Sequence, residues 1–146
     1  MIPAKLYKHI VKSIPIPCVD VIIVHDGLFL LLKRNNPPEK GKWFIPGGRV
    51  YKDEKLRTAA QRKAYEETGI HCNVGPLIYN TETIFPDGPF DFPIHTINSC
   101  FFLYPKTRSF KVSLDKDHNG FRWCNFIPSD IHPYVKQCLR AAGFDE

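Results

Sequence analysis

The stretch Pro46-Gly47-Gly48, followed by Asp53-Glu54 and then by the strongest helix signal in the chain, Lys55 to Thr68, constrains this protein more than any other. Two adjacent glycines let a backbone turn sharply and approach a ligand closely. Asp53 and Glu54 place negative charge at the start of the helix, where the macrodipole favours it. Leu56, Ala59, Ala60 and Ala64 form a narrow face of small residues. Gly69 is a suitable C-terminal stop. On such a helix Arg62 can pair with Glu66, and Lys63 with Glu67, each four residues apart. Glu66 and Glu67 are adjacent and diverge by roughly 100° around the axis. One can face a loop site while the other packs sideways. Carboxylate oxygens are the ligands Mg²⁺ prefers, usually one or two of them together with substrate phosphate oxygens.

The rest of the chain reads as short strands framed by helices. Leu6, Ile10 and Val11 lie at helical spacing between Pro3 and Pro15, which predicts an N-terminal helix over 3–13. Cys18–Val24 and Leu28–Lys33 flank His25-Asp26-Gly27 and predict a hairpin of buried strands. A polar loop over 35–42 leads to a short strand, Trp43–Ile45. Further strands are expected at 70–74, 77–84, 95–104 and 121–126, and a closing helix at 133–142. A helix between strand pairs points to an α+β fold, a mixed β-sheet sandwiched between helices in an α/β/α arrangement.

Length and composition set limits on function. At 146 residues, 43% of them hydrophobic, the chain suits a single domain, 1–146, with its own core. No apolar run is long enough to span a membrane, and no signal peptide is expected after Met1. The five cysteines are scattered and odd in number, so reduced thiols and a cytoplasmic location are expected. The formal charge of +5 suits an anionic partner. Its basic residues are dispersed rather than gathered in a run, so nucleic-acid binding is not expected.

Gly48, Glu54, Arg62, Ala64, Glu66, Glu67, Gly69 and Ile70 stand at the spacing of the Nudix box, and the segment resembles it at every fixed position except Lys63. Most members carry a metal-binding glutamate there. A cation in its place should remove one Mg²⁺ site. The likeness is greatest to the GDP-mannose mannosyl hydrolase group. It extends over Cys18 to Val24 with its Asp20, Lys33-Arg34-Asn35-Asn36-Pro37, Gly41 to Val50, Lys52-Asp53-Glu54, Asp117-His118 and Phe121-Arg122-Trp123. It covers roughly residues 10 to 125.

This resemblance implies a Nudix fold and a Mg²⁺-dependent hydrolase of a nucleoside-diphosphate sugar, GDP-mannose-like, with Mn²⁺ as an alternative ion. In that group water attacks the anomeric carbon and releases GDP and free sugar with inversion. A nucleoside diphosphate leaves readily once its charge is neutralised, so one ion, a few arginines and one general base suffice. By resemblance, the Gly48 carbonyl and Glu67 would hold the metal. Asp117 replaces a glutamine ligand and would serve as ligand or base, and Glu66 adds a further carboxylate. His118 matches the general base, a task suited to imidazole; by its own surroundings it is a histidine in a polar loop. Arg34 and Arg49 match arginines on the diphosphate, as guanidinium forks suit phosphate oxygens.

Arg62 is placed to brace the loop through Glu54 and to sense the phosphates. Asp20 is either a solvent-facing strand residue or a substrate contact. His95 matches a substrate-binding histidine, although Thr96 stands where a tyrosine should follow it. The loop Phe85 to Phe90 is either a lid over the sugar or a plain surface turn. Within the same family the alternative is attack on phosphorus, giving a nucleoside monophosphate. Outside enzymes, the alternative is a non-catalytic nucleotide-binding module. The N-terminal helix and first strand would suit a homodimer contact.

Overall fold

The computed structural model describes residues 1–146. Its elements are α1 (Ala4–Ser13), β1 (Ile16–His25), β2 (Leu28–Arg34), β3 (Trp43–Phe44), β4 (Gly47–Arg49), α2 (Leu56–Thr68), β5 (Cys72–Phe85), β6 (Ile94–Pro105), β7 (His118–Cys124) and α3 (Pro133–Ala141). The strands form a seven-stranded mixed sheet in the order β3-β2-β1-β6-β5, with β4 pairing β1 and β7 pairing β2. β1 runs parallel to β6 over eight residue pairs, from Ile16↔Thr96 to Ile23↔Leu103. The α+β, helix-flanked sheet is the expected one.

Alternation along β1 builds two cores. Val19, Val21 and Ile23 point to one face with Leu30, Leu32, Phe101 and Leu103, and α2 covers them through Ala59, Ala60 and Ala64. All three alanines are fully buried. Their small side chains let the helix approach the sheet closely, and a larger residue there would overpack the contact by roughly 1–3 kcal/mol. Ile22, Phe29, Leu31 and Cys100 point to the opposite face, beneath Val135, Cys138 and Leu139 of α3. β1 is therefore buried on both sides, which explains its nearly unbroken apolar run. Asp20 is the exception, a buried carboxylate within that run.

The β1–β2 turn has Asp26 at φ 52° and Gly27 at φ 75°, the paired left-handed conformations of a tight two-residue hairpin. α2 begins one residue later than expected, at Leu56, and stops at Gly69, φ 73°, whose N–H bonds to the Tyr65 carbonyl. Two boundaries need correction. The strands expected at 70–74 and 77–84 are one strand, β5, with register shifts between Val74 and Tyr79 that absorb Gly75-Pro76. β5 lies at the sheet edge, where a proline without an N–H is tolerated. β7 starts at His118 rather than Phe121, because a register shift at Lys33/Arg34 lets His118 pair with Arg34. No helix is long and apolar enough to cross a membrane.

Candidate functional site

A cavity of about 440 Å³ opens on the Asp20 side of the sheet, where β1, β4, the end of α2, the 35–42 loop and the start of β7 converge. β4 pairs with β1 so that Asp20 opposes Gly47. A side chain on Gly47 would run into the Asp20 carboxylate and come within 2.6 Å of the Val19 carbonyl oxygen. Only glycine allows this approach. The Gly47 N–H then donates to Glu67 Oε1 at 2.9 Å, so the glycine turn and the end of α2 are tied together.

Glu67 is 5% exposed and lines the cavity. Burial pushes its carboxyl group up from its ordinary value, opposed by the nearby Lys63 ammonium and His118. Across from it, His118 Nδ1 lies 2.7 Å from Asp115 Oδ1, with the imidazole 3% exposed. An ionised carboxylate can only accept, so the assigned tautomer carries its proton on Nδ1 and leaves Nε2 as an acceptor. His118, a loop histidine by its sequence surroundings, is instead the buried first residue of β7. Each of Glu67, Asp115 and His118 offers a ligand atom within 4.8 Å of the others. Two bonds of roughly 2.1 Å span at most roughly 4.2 Å, so small side-chain movements would close this set on one ion. The two carboxylates fit Mg²⁺ or Mn²⁺ in donor chemistry, whereas the imidazole suits softer ions.

The other expected residues divide by position. Gly48, Arg34, Arg49, Asp20 and Asp117 all line the cavity. Arg49 lies 4.4 Å from the Tyr7 ring and 5.8 Å from the Tyr51 ring, and its Nη1 is buried without a hydrogen-bond partner. Arg34 donates from Nε to the Pro38 carbonyl at 2.5 Å, with its guanidinium 5.8 Å from the Phe44 ring. Asp117 stands outside the three-residue donor set. Its Oδ1 accepts from Asn36 Nδ2 at 2.6 Å, and its carbonyl accepts from the Asn35 N–H, so it ties two loops together.

Asp20 is not solvent-facing. It is 5% exposed, and its Oδ2 accepts from Tyr134 OH at 2.7 Å and Asn98 Nδ2 at 2.9 Å. Burial raises its pKa against those two hydrogen bonds.

Three expected residues lie apart from the cavity. Glu66 is exposed, with Arg62 Nη1 3.1 Å and Lys63 Nζ 3.3 Å from its oxygens. Arg62 braces the loop as expected: it donates to both Glu54 oxygens at 2.7 and 2.9 Å and to the Arg49 carbonyl at 3.0 Å. Its guanidinium also sits 3.8 Å from the Tyr51 ring. His95 is not among the lining residues. Its neighbours Ile94 and Thr96 are, and strand alternation turns His95 to the other face, with Nε2 buried and unpartnered. Of the candidate lid, Phe85 and Pro89 line the cavity, and Phe90 packs 6.2 Å from the Tyr7 ring on α1.

Sequence reasoning missed Asp115, Asn98, Thr96 and Tyr134. Asp115 had a signal, its three-residue spacing before His118. Tyr134 and Asn98 had none, since they reach Asp20 from 114 and 78 residues away.

Comparison with known proteins follows the same lines. The family model for the NUDIX domain matches residues 15–132. A low-salt glycan biosynthesis protein of Haloferax volcanii is 32% identical over 96% of this chain and 90% of its own. An ADP-ribose pyrophosphatase of Methanocaldococcus jannaschii is 37% identical over 93% of this chain and 77% of its own. The crystal structure of a MutT NUDIX hydrolase from Burkholderia pseudomallei superposes with a TM-score of 0.73 at 25% identity, covering 88% of this chain and 98% of that one.

Proposed function

The chain belongs to the Nudix family, and from that premise we propose that it hydrolyses a nucleoside-diphosphate sugar of the GDP-mannose type by water attack at the anomeric carbon. The observation that carries this reading is the meeting, in one cavity, of a single buried α2 carboxylate, Glu67, with His118, whose Nδ1 is paired with Asp115. Attack on phosphorus in two-metal sites draws on a pair of ions clamping the attacking and leaving oxygens. Glu66, which would serve such a pair, is turned aside and engaged by Arg62 and Lys63.

Glu67 and Asp115 would hold a divalent ion, Mg²⁺ or Mn²⁺, with the Gly48 carbonyl as a further donor. That ion supplies charge neutralisation on the departing diphosphate. Arg34 and Arg49 bind the diphosphate oxygens, and the free Nη1 of Arg49 is satisfied when they arrive. Asp20, held in place through its Oδ2 by Tyr134 and Asn98, receives a substrate hydroxyl on its other oxygen. His118 Nε2 takes the proton from the attacking water, while Asp115 fixes the ring and stabilises the imidazolium. The water oxygen bonds to the anomeric carbon, the carbon–oxygen bond to the diphosphate breaks, and the electron pair leaves with GDP.

Incubation with GDP-mannose and Mg²⁺, with products separated by anion exchange, tests this. GDP and free mannose are expected. GMP and mannose 1-phosphate would replace it with the second reading, pyrophosphatase action, which the likeness to an ADP-ribose pyrophosphatase favours.

A further inference from the structure

One carboxylate in the cavity wall has no part in the mechanism. Glu39 lies at φ 62°, a left-handed conformation that a residue other than glycine rarely holds. Its loop is closed by hydrogen bonds from the Arg34 N–H to the Lys42 carbonyl and from the Gly41 N–H to the Arg34 carbonyl. Glu39 lines the cavity, and its side chain is 13% exposed. Its Oε2 is 3.2 Å from the Nζ of Lys42, an exposed side chain. Its Oε1 faces His132 Nε2 at 3.7 Å, too far for a direct hydrogen bond. His132 Nδ1 accepts the Tyr134 N–H at 3.0 Å, so the neutral ring carries its proton on Nε2. Burial holds the imidazole pKa below its ordinary value, against the pull of Glu39. His132 therefore does not neutralise Glu39, and Oε1 is left able to accept from a ligand.

Glu39 and Asp20 meet the same corner of the fold. Glu39 faces His132, the residue before α3, and Asp20 takes the hydroxyl of Tyr134 at the start of that helix. Phe44 and Phe85 line the cavity here, with ring centroids 6.2 Å apart, and pack on the His132 ring at 5.8 and 5.4 Å. Ionised carboxylates only accept hydrogen bonds, and a sugar offers hydroxyl donors together with an apolar C–H surface for aromatic rings. We propose that Glu39 is a specificity-determining residue, which accepts a hydroxyl of the sugar from the loop side of the cavity and excludes sugars that carry an anionic group. With Arg34 committed to the diphosphate and Lys42 in solvent, a sugar carboxylate brought to this corner meets the Glu39 charge at short range. In a partly enclosed cavity that repulsion is stronger than in water. The inference rests on the cavity taking a nucleoside-diphosphate sugar, not on which bond breaks there.

Steady-state hydrolysis and inhibition of the full chain test it with three compounds. These are GDP-mannose, GDP-mannuronate, which differs by a carboxylate at C6, and GDP, which lacks the sugar. The wild type is expected to bind GDP-mannuronate at least about tenfold more weakly than GDP-mannose, read as KM or as an inhibition constant. Glu39→Gln is expected to raise the KM for GDP-mannose about tenfold, to strengthen GDP-mannuronate binding about tenfold and to leave inhibition by GDP unchanged. Circular dichroism checks folding. If Glu39→Gln does not fold, Glu39→Asn, which suits the left-handed backbone, replaces it. Equal wild-type affinity for the two sugars, or a GDP-mannuronate affinity that does not rise in a folded variant, would overturn the proposal. A loss of GDP affinity as large as that of GDP-mannose would also overturn it, because Glu39 would then only hold the loop. Release of GMP by a wild type with the expected preference keeps this inference and removes the anomeric-carbon reading, whereas no hydrolysis of either sugar removes both.

Discussion

The two sides of the cavity are built in opposite ways. On the α2 side, Gly47, Gly48, Glu54, Arg62, Lys63, Glu66 and Glu67 lie within 21 residues of chain. They hold one another through backbone-to-carboxylate bonds and ion pairs across one helix and its entry loop. On the β7 side, Asp115 and His118 form a local pair, but the sheet positions it: His118 pairs with Arg34, and the Asp117 carbonyl takes the Asn35 N–H. One side is a self-contained unit of charge. The other is a two-residue device aimed by strands far away in sequence. Side chains placed by a helix can be set locally, whereas a side chain at a strand end depends on the register of the whole sheet.

Substitutions can break this comparison in a graded order. Glu67→Gln removes the residue shared by both sides and is expected to lower kcat on the order of 10³-fold, read by steady-state kinetics with an unchanged circular dichroism spectrum. His118→Ala should cost roughly 10²- to 10³-fold in kcat with little change in KM, the loss of a general base. A larger effect on KM than on kcat would return His118 to a binding role. Asp115→Asn leaves the ring in place and weakens its orientation, for an expected loss of about 10- to 100-fold in kcat. Glu66→Gln should cost less than about tenfold, because Glu66 faces away from the cavity; a loss as large as that of Glu67→Gln would mean that both helix carboxylates hold ions.

The smallest expected effect concerns stability and belongs to the α2 side alone. Its hydrogen bonds from Arg62 hold the Glu54 carboxyl below its ordinary value of 4.5. A carboxyl lowered in the folded state contributes stability that is fully present above the ordinary value and is lost as pH falls through the folded value. The Tm advantage of wild type over Glu54→Gln should therefore be constant from pH 7 down to about pH 5 and shrink below it. A gap that widens on acidification would remove the pair from the account.

Legibility followed the same division. The helix, its stop at Gly69, the Arg62–Glu54 brace and the divergence of Glu66 from Glu67 could all be read, because each depends on spacing within one turn or two. The hairpin at Asp26-Gly27 was equally local. The single β5 strand was not read, since Gly75-Pro76 looks like a break until the edge position of the strand is known. Asp20 was half legible: a lone carboxylate in an apolar strand stands out, but its partners Tyr134 and Asn98 come from α3 and β6. His95 shows the opposite failure. Its match depended on position in the chain, and strand alternation turned it away from the cavity.

The central claim, that water attacks carbon rather than phosphorus, is tested most directly by hydrolysis of GDP-mannose in ¹⁸O-labelled water with mass analysis of both products. Attack at carbon places one ¹⁸O atom in the free sugar and none in GDP. Label in GMP or in the sugar phosphate would contradict it.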